Sequence, residues 1–205
     1  VNGQLDTRGN PEKYNIAGFR NVVQGLNETL EAFATPLNEL MPVLQKMALN
    51  DYTSRMGDNY KGAFNNLSES TNHVLDRITH IEETINQISV GDLNALEGYR
   101  EIGKRSGNDR LIPSMIEMME TLKILNEDIL KTANKHKAGD MGATCHPEKF
   151  HGAYADISNG INGIISELTV PVVEGMGIME EYARGDLSRE MRELPGEQIV
   201  LTNSI

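Results

Sequence analysis

Tryptophan is absent from the 205 residues, cysteine occurs once, and aromatic residues make up only 5 %. One cysteine excludes an intrachain disulfide. With aromatics so scarce, Leu, Ile, Val and ten methionines fill the apolar quota, which is the composition of a helical bundle. Positive charge is also short: 19 basic residues against 30 acidic give a formal net charge of −11. That excludes sequence-independent nucleic-acid binding, which rests on Lys and Arg neutralising phosphates, and docking on anionic lipid. No apolar run approaches the ~18 residues needed to cross a bilayer, and no signal peptide opens the chain, so no membrane insertion and a cytoplasmic setting are expected. The chain starts at Val1 and stops at Ile205 inside an apolar pattern, as a piece of a longer protein would.

What is present is a recurring three-residue stop. Gly185-Asp186-Leu187 is echoed by Gly91-Asp92-Leu93, Gly139-Asp140-Met141, Asn50-Asp51-Tyr52 and Gly3-Gln4-Leu5, with spacings of 47, 41, 48 and 46 residues. A fixed period of this size is the signature of a repeat architecture. Each stop closes a long amphipathic pattern, where glycine takes the left-handed conformation that ends a helix without steric cost.

Between the stops lie helical seams. Phe19, Val23, Leu26, Leu30, Phe33, Leu37, Leu40, Leu44 and Met47 step by four and three without a slip, which is a heptad pattern. Pro36 and Pro42 fall inside this run and predict bending or a helix break. A second seam runs from Phe64 through Leu67, Thr71, Val74, Ile78, Ile81 and Ile85 to Ile88, a third from Leu111 to His136, and a fourth from Tyr154 to Tyr182. Connectors are expected at 51–62, 93–109, about 140–152 and 186–198, the second held by three glycines and followed by Asp109 and Pro113 as a helix start.

Further marks recur in phase. Pro36 and Pro171 precede their stops by 14 residues, and Gly18, Gly62 and Gly152 restart helices. Asn27, Asn72, Asn162 and Asn203 each follow a seam residue by one. Within the connectors an apolar pair is spaced by four: Tyr52 and Met56, Met141 and Cys145, Leu187 and Met191. A seam filling two positions in seven cannot be buried by one helix, and a connector of 12 to 17 residues, at ~3.3 Å each, can return along a helix and make successive helices parallel.

This combination resembles the HAMP domain, the signal-relay module of chemoreceptors and sensor histidine kinases, arranged as a tandem array. The resemblance rests on the early prolines Pro36 and Pro171, the Gly-Asp-Leu turns at 91–93 and 185–187, the connector apolar residues and the second-helix asparagines. It implies an all-α fold: successive parallel four-helix coiled-coil bundles formed by a homodimer, from helix-connector-helix repeats. The implied units are 1–30 (the end of one), 31–75, a divergent unit at 76–122, 123–165, and 166–205 (truncated). It implies a non-enzymatic relay between flanking sensor and output modules of the same chain, with a chemotaxis kinase and adaptor reached through an output domain, and no cofactor. The signalling residues implied are the turns (Asp51, Gly91, Asp92, Gly139, Asp140, Gly185, Asp186), the connector positions (Tyr52, Met56, Leu93, Met141, Cys145, Leu187, Met191) and the core layers (Pro36, Met47, Ile88, His136, Pro171, Tyr182).

Two other readings compete. His136, Cys145, His146 and His151 lie within 16 residues, so 93–151 could form a pocket for a metal, haem or small molecule; yet the spacing is not that of a zinc motif, and Cys145 sits where a small buried apolar residue suffices. A plain coiled-coil spacer is the other, though a rod needs no regular connectors. Glycines 98, 103 and 107 lack the Lys-Ser/Thr ending of a phosphate loop. Glu117, Glu120, Glu127 and Asp128 read as a solvated face, and His136 as a polar layer facing its own copy across the dimer.

Overall fold

The computed structural model describes residues 3–205, and every regular element among them is helical. There are two compact units, one reaching to Asp92 and one spanning Leu93–Ile205.

In the first unit, a 3₁₀ turn at Pro11–Lys13 leads into α1, Ala17–Met47, and a connector then leads into α2, Ala63–Ser89. At 1.5 Å per residue, α1 is about 46 Å long. It passes through Pro36 and Pro42 without a break. Each proline removes one donor, but the turns on either side within the 31-residue helix hold it together, and Pro36 is fully buried. The intrachain core is Val43, Met56 and Leu75, one residue each from α1, connector and α2, with Leu40, Met47, Tyr52, Tyr60 and Leu67 packed against it. Val43 and Leu75 lie beside the heptad seam rather than on it. The seam itself stays largely uncovered: Phe19, Leu26, Phe33 and Leu44 are exposed in the single chain, Leu26 at 60 %.

The second unit contains α3, Ala95–Ile102, α4, Leu111–Lys137, α5, Ala153–Ala183, and α6, Ile199–Ser204. The expected 93–109 connector therefore holds a short helix. Its Leu96 and Tyr99 are buried, as are Ile112, Met115 and Met119 of α4, and Arg100 bonds both Glu97 and Glu120. Local burial of two residues spaced by three outweighs Gly98 within the helix, and Gly103 ends it with φ 59°. The α4 start is as expected: Asp109 accepts from the N–H groups of Leu111 and Ile112 at 3.0 and 3.3 Å, with Pro113 in the first turn. Helix α5 also runs unbroken through its proline, Pro171, which is buried. Near its end α6 closes on Gly175, where an added Cβ would stand 2.6 Å from Ile205. As in α1, the α5 seam is exposed at Ile164, Leu168 and Met179, Leu168 at 60 %.

Candidate functional site: the helix stops and docked connectors

The four internal stops share one geometry. Asn50, Gly91, Gly139 and Gly185 have φ of 60°, 83°, 94° and 90°. Each donates to the carbonyl three residues back (Met47, Ile88, His136, Tyr182), at 2.9–3.0 Å. The following Asp51, Asp92, Asp140 and Asp186 each donate to the carbonyl five residues back, at 2.9–3.1 Å. This pair of bonds is the Schellman arrangement, which satisfies carbonyls left over at a helix end. The aspartates then start the connector. Asp51 Oδ1 accepts from the Thr53 hydroxyl and N–H, Asp186 Oδ1 likewise from Ser188, and Asp140 Oδ1 from the Gly142 N–H. The hydroxyl bond first, then the backbone bond, holds the Asp51 and Asp186 carboxyls below the usual range.

Six residues after the stop, the connector is clamped by an amide. Asn72 of α2 accepts the Met56 N–H at 3.0 Å and donates to the Met56 carbonyl at 2.9 Å. Asn162 of α5 does the same to Cys145, at 2.7 and 2.9 Å, and Asn27 of α1 to Gly9, at 2.8 Å both ways. The amide is the side chain that offers donor and acceptor side by side, so it replaces one rung of a backbone ladder. Met56 and Cys145 are buried beneath these bonds, Cys145 to 3 % exposure. Asn203 does not act this way. It is exposed, and its neighbour Thr202 instead accepts from the Leu194 N–H and donates to the Arg192 carbonyl, at 3.1 and 3.0 Å.

An acid eleven residues before each of three stops grips the connector from the first helix. The Glu39 carboxylate accepts from the Gly57 N–H at 2.8 Å and from the Tyr60 hydroxyl, which with burial pushes the Tyr60 phenol up. Glu174 accepts from Arg192 Nε at 2.9 Å. Asp128, expected on a solvated face, is 5 % exposed. It accepts from the His146 N–H and ring Nδ1, both at 2.7 Å, and from Lys149 at 3.3 Å. Burial raises its carboxyl, and the bonds from His146 and Lys149 outweigh that, leaving it below the ordinary value. The partners Gly57, His146 and Arg192 all fall seven residues after the stop. Aligning the repeats on their stops shows Glu39, Asp128 and Glu174 in phase, and that was the available signal.

The third recurring contact comes from three residues before the stop. His136 Nε2 lies 2.7 Å from the Ala143 carbonyl, and the Tyr182 hydroxyl donates to the Arg189 carbonyl at 2.7 Å. His136 thus turns to its own connector. Met47 packs on the first-unit core, and Ile88 is half-buried. Not every expected connector residue is covered within one chain: Tyr52, Leu93 and Met191 are half-buried, whereas Met141 and Leu187 are exposed, Leu187 at 72 %.

Cys145 and the three nearby histidines do not converge. Among the described residues no group of three or more His, Cys, Asp or Glu could hold a metal ion, and no helix is long and apolar enough to cross a membrane.

Stop, amide clamp and acid thus act together on the connectors after Asn50 and Gly139, and one or two of the three recur at the other stops. Residues 17–80 match the HAMP domain family, and residues 174–205 match the family described as HAMP N-terminal domain 3. Two stretches of the chain are similar to HAMP modules. No curated protein matches the chain. HAMP domains are signal-transducing, non-catalytic modules of sensor proteins, and the two matches cover α1 with most of α2, and the end of α5 with α6. The helix-connector-helix pattern expected from the heptads and stops is all-helical, as read.

Proposed function

We propose that the chain is a concatenated HAMP relay that carries conformational change from a sensor input to a chemoreceptor-like or kinase-like output. The units are 31–75, a divergent 76–122, 123–165 and a partial 166–205, preceded by the end of another at 1–30. They act as a parallel homodimer, in a protein whose relay segment is cytoplasmic and does no chemistry of its own. The chemotaxis kinase and its adaptor are reached through the output module.

The observation that carries this reading is the combination of an intrachain core and an uncovered seam. Val43, Met56 and Leu75 close the α1–α2 pair over its connector, while Phe19, Leu26, Phe33, Ile164 and Leu168 face outward at heptad spacing. Apolar side chains at a two-in-seven repeat call for a second set of helices, and a copy of the same chain supplies the same spacing. Packed layers have discrete alternatives of rotation, so displacement at one end shifts the population of packings in the next unit. The turns at Asp51, Gly91–Asp92, Gly139–Asp140 and Gly185–Asp186 set how each connector leaves its helix. Exposed Met141 and Leu187 pack in the assembled bundle, and Pro36, Met47, Ile88, His136, Pro171 and Tyr182 mark the layers where packing changes.

Spin labels placed singly at Ser89, Lys137 and Ala183, each near a helix end, test it. Short distances between copies at all three sites are expected for a parallel dimer. Absent coupling at all three would mean a monomer or an antiparallel assembly and would end the relay reading.

A further inference from the structure

The connector after Gly139 differs from its counterparts in the chemistry of its anchors. Seven residues after the stop the first repeat has Gly57 and the last has Arg192, neither of which changes charge near neutral pH; here the residue is His146. Three residues before the stop the last repeat has Tyr182, and here the residue is His136. Ala143 to His146 is therefore held at both ends by imidazoles: His136 Nε2 on the Ala143 carbonyl and His146 Nδ1 on Asp128 Oδ1, each at 2.7 Å. A carbonyl or carboxylate only accepts, so both ring nitrogens carry hydrogen.

A second difference lies on α5. In the first repeat Ser68, four residues before the clamp Asn72, donates to the Gly57 carbonyl and is buried. Ser158 stands four residues before Asn162 and is also fully buried, yet its hydroxyl has no hydrogen-bond partner among the described residues. The equivalent carbonyl is that of His146. In the first repeat Glu39 and Ser68 hold Gly57 together; here Asp128 takes the His146 ring as well as its N–H, and the α5 hydroxyl that would hold the carbonyl is left idle.

We propose that this connector is a pH-responsive latch with two alternative settings. In one, the His146 imidazolium and N–H are held on Asp128; in the other, that grip loosens and Ser158 takes the His146 carbonyl, as Ser68 takes that of Gly57. A carboxylate holds an imidazolium more strongly than a neutral ring, so acidification favours the α4-docked setting and rising pH releases it. Half-exposure of the His146 side chain gives the proton a path from solvent. The groups facing His146 are few. From α4 there is Asp128, with exposed Lys131 one turn on; from the 3₁₀ turn Pro147–Lys149 there is Lys149, which shares Asp128 Oδ1, and exposed Glu148. From α5 the residues at this level, Ser158 and Asn162, are neutral. Lys149 competes for the same oxygen and releases as the ring becomes charged.

The inference stands on one chain's geometry and needs neither the dimer nor the relay, so its failure would leave that reading untouched. Backbone amide exchange in the full chain, corrected for the intrinsic pH dependence, tests it. The protection of the His146 N–H is expected to fall about threefold as the pH of the sample is raised from about 5.5 to about 8. The Gly57 N–H, its counterpart on Glu39, should stay level. His146→Gln should flatten the profile while the Cys145 N–H, clamped by Asn162, remains protected, and Ser158→Ala, which removes the partner of the released setting, should raise His146 N–H protection only at the high-pH end. A level His146 profile in the unchanged chain, or an unaltered pH dependence in His146→Gln, overturns the proposal.

Discussion

Asn162 and Cys145 are joined twice, the side-chain amide of one pairing with both the N–H and the carbonyl of the other at 2.7 and 2.9 Å. The same pairing joins Asn72 to Met56. Because Cys145 and Met56 are buried, cutting the amide leaves two backbone groups without a partner. Asn162→Ala and Asn72→Ala should each cost about 1–3 kcal/mol in urea unfolding. Asn27→Ala, whose bonds to Gly9 are solvent-exposed, should cost clearly less. Equal losses at all three positions would mean that burial is not what gives the clamp its weight.

The stop glycines separate conformation from space. A Cβ at Gly91, Gly139 or Gly185 would meet nothing within 4 Å, yet φ is 83–94°. Alanine at each should therefore destabilise by about 1–2 kcal/mol through backbone strain alone. Asn50 already tolerates φ of 60°, so Asn50→Gly should change stability by less than about 0.5 kcal/mol. Thermal unfolding of the four variants reads both statements, and a harmless Gly139→Ala would contradict the first.

Asp128 makes an acid-limb prediction. Its carboxyl is held below the ordinary value, so its contribution is complete above the unfolded aspartate value of about 3.9 and is lost as pH falls through the lower folded value. Asp128→Asn should be less stable than the unchanged chain by about 2 kcal/mol at neutral pH, and the gap should close in acid as pH falls through the lowered folded value. Denaturant midpoints measured at neutral pH and in acid check the sign; a gap that widens in acid would reverse it.

The exposed seams predict concentration dependence. If a second copy covers Leu26 and Leu168, the melting temperature should rise with protein concentration, and Leu26→Glu together with Leu168→Glu should abolish that rise. Connector docking over Val43, Met56 and Leu75 should survive, since neither leucine belongs to that core. Circular dichroism melts over a hundredfold dilution series would show it, and a melting temperature independent of concentration in the unchanged chain would remove the dimer.

The stops and the long helices between them were legible in the residues themselves, because they depend on local causes; the short α3 inside the expected 93–109 connector was not. A glycine or asparagine at the end of a heptad run has one favourable conformation, and the steps of three and four from Phe64 to Ile88 leave no alternative to a helix. The asparagine clamps were visible as a phase but not as a contact, since the pairing of Asn72 with Met56 is set by how far the connector travels back. What tertiary structure alone decided is which face each chain covers for itself. Val43 and Leu75 sit off the seam and became the intrachain core because the connector lies over that side. Asp128 looked like one acid in a solvated row and became a buried anchor because His146 and Lys149 are brought back to it. Leu96 and Tyr99 formed a helix between glycines because α4 offered them a surface. Periodicity records which side of a helix is apolar; it does not record whether the chain's own connector or another helix will cover it, because that depends on the path taken between helices.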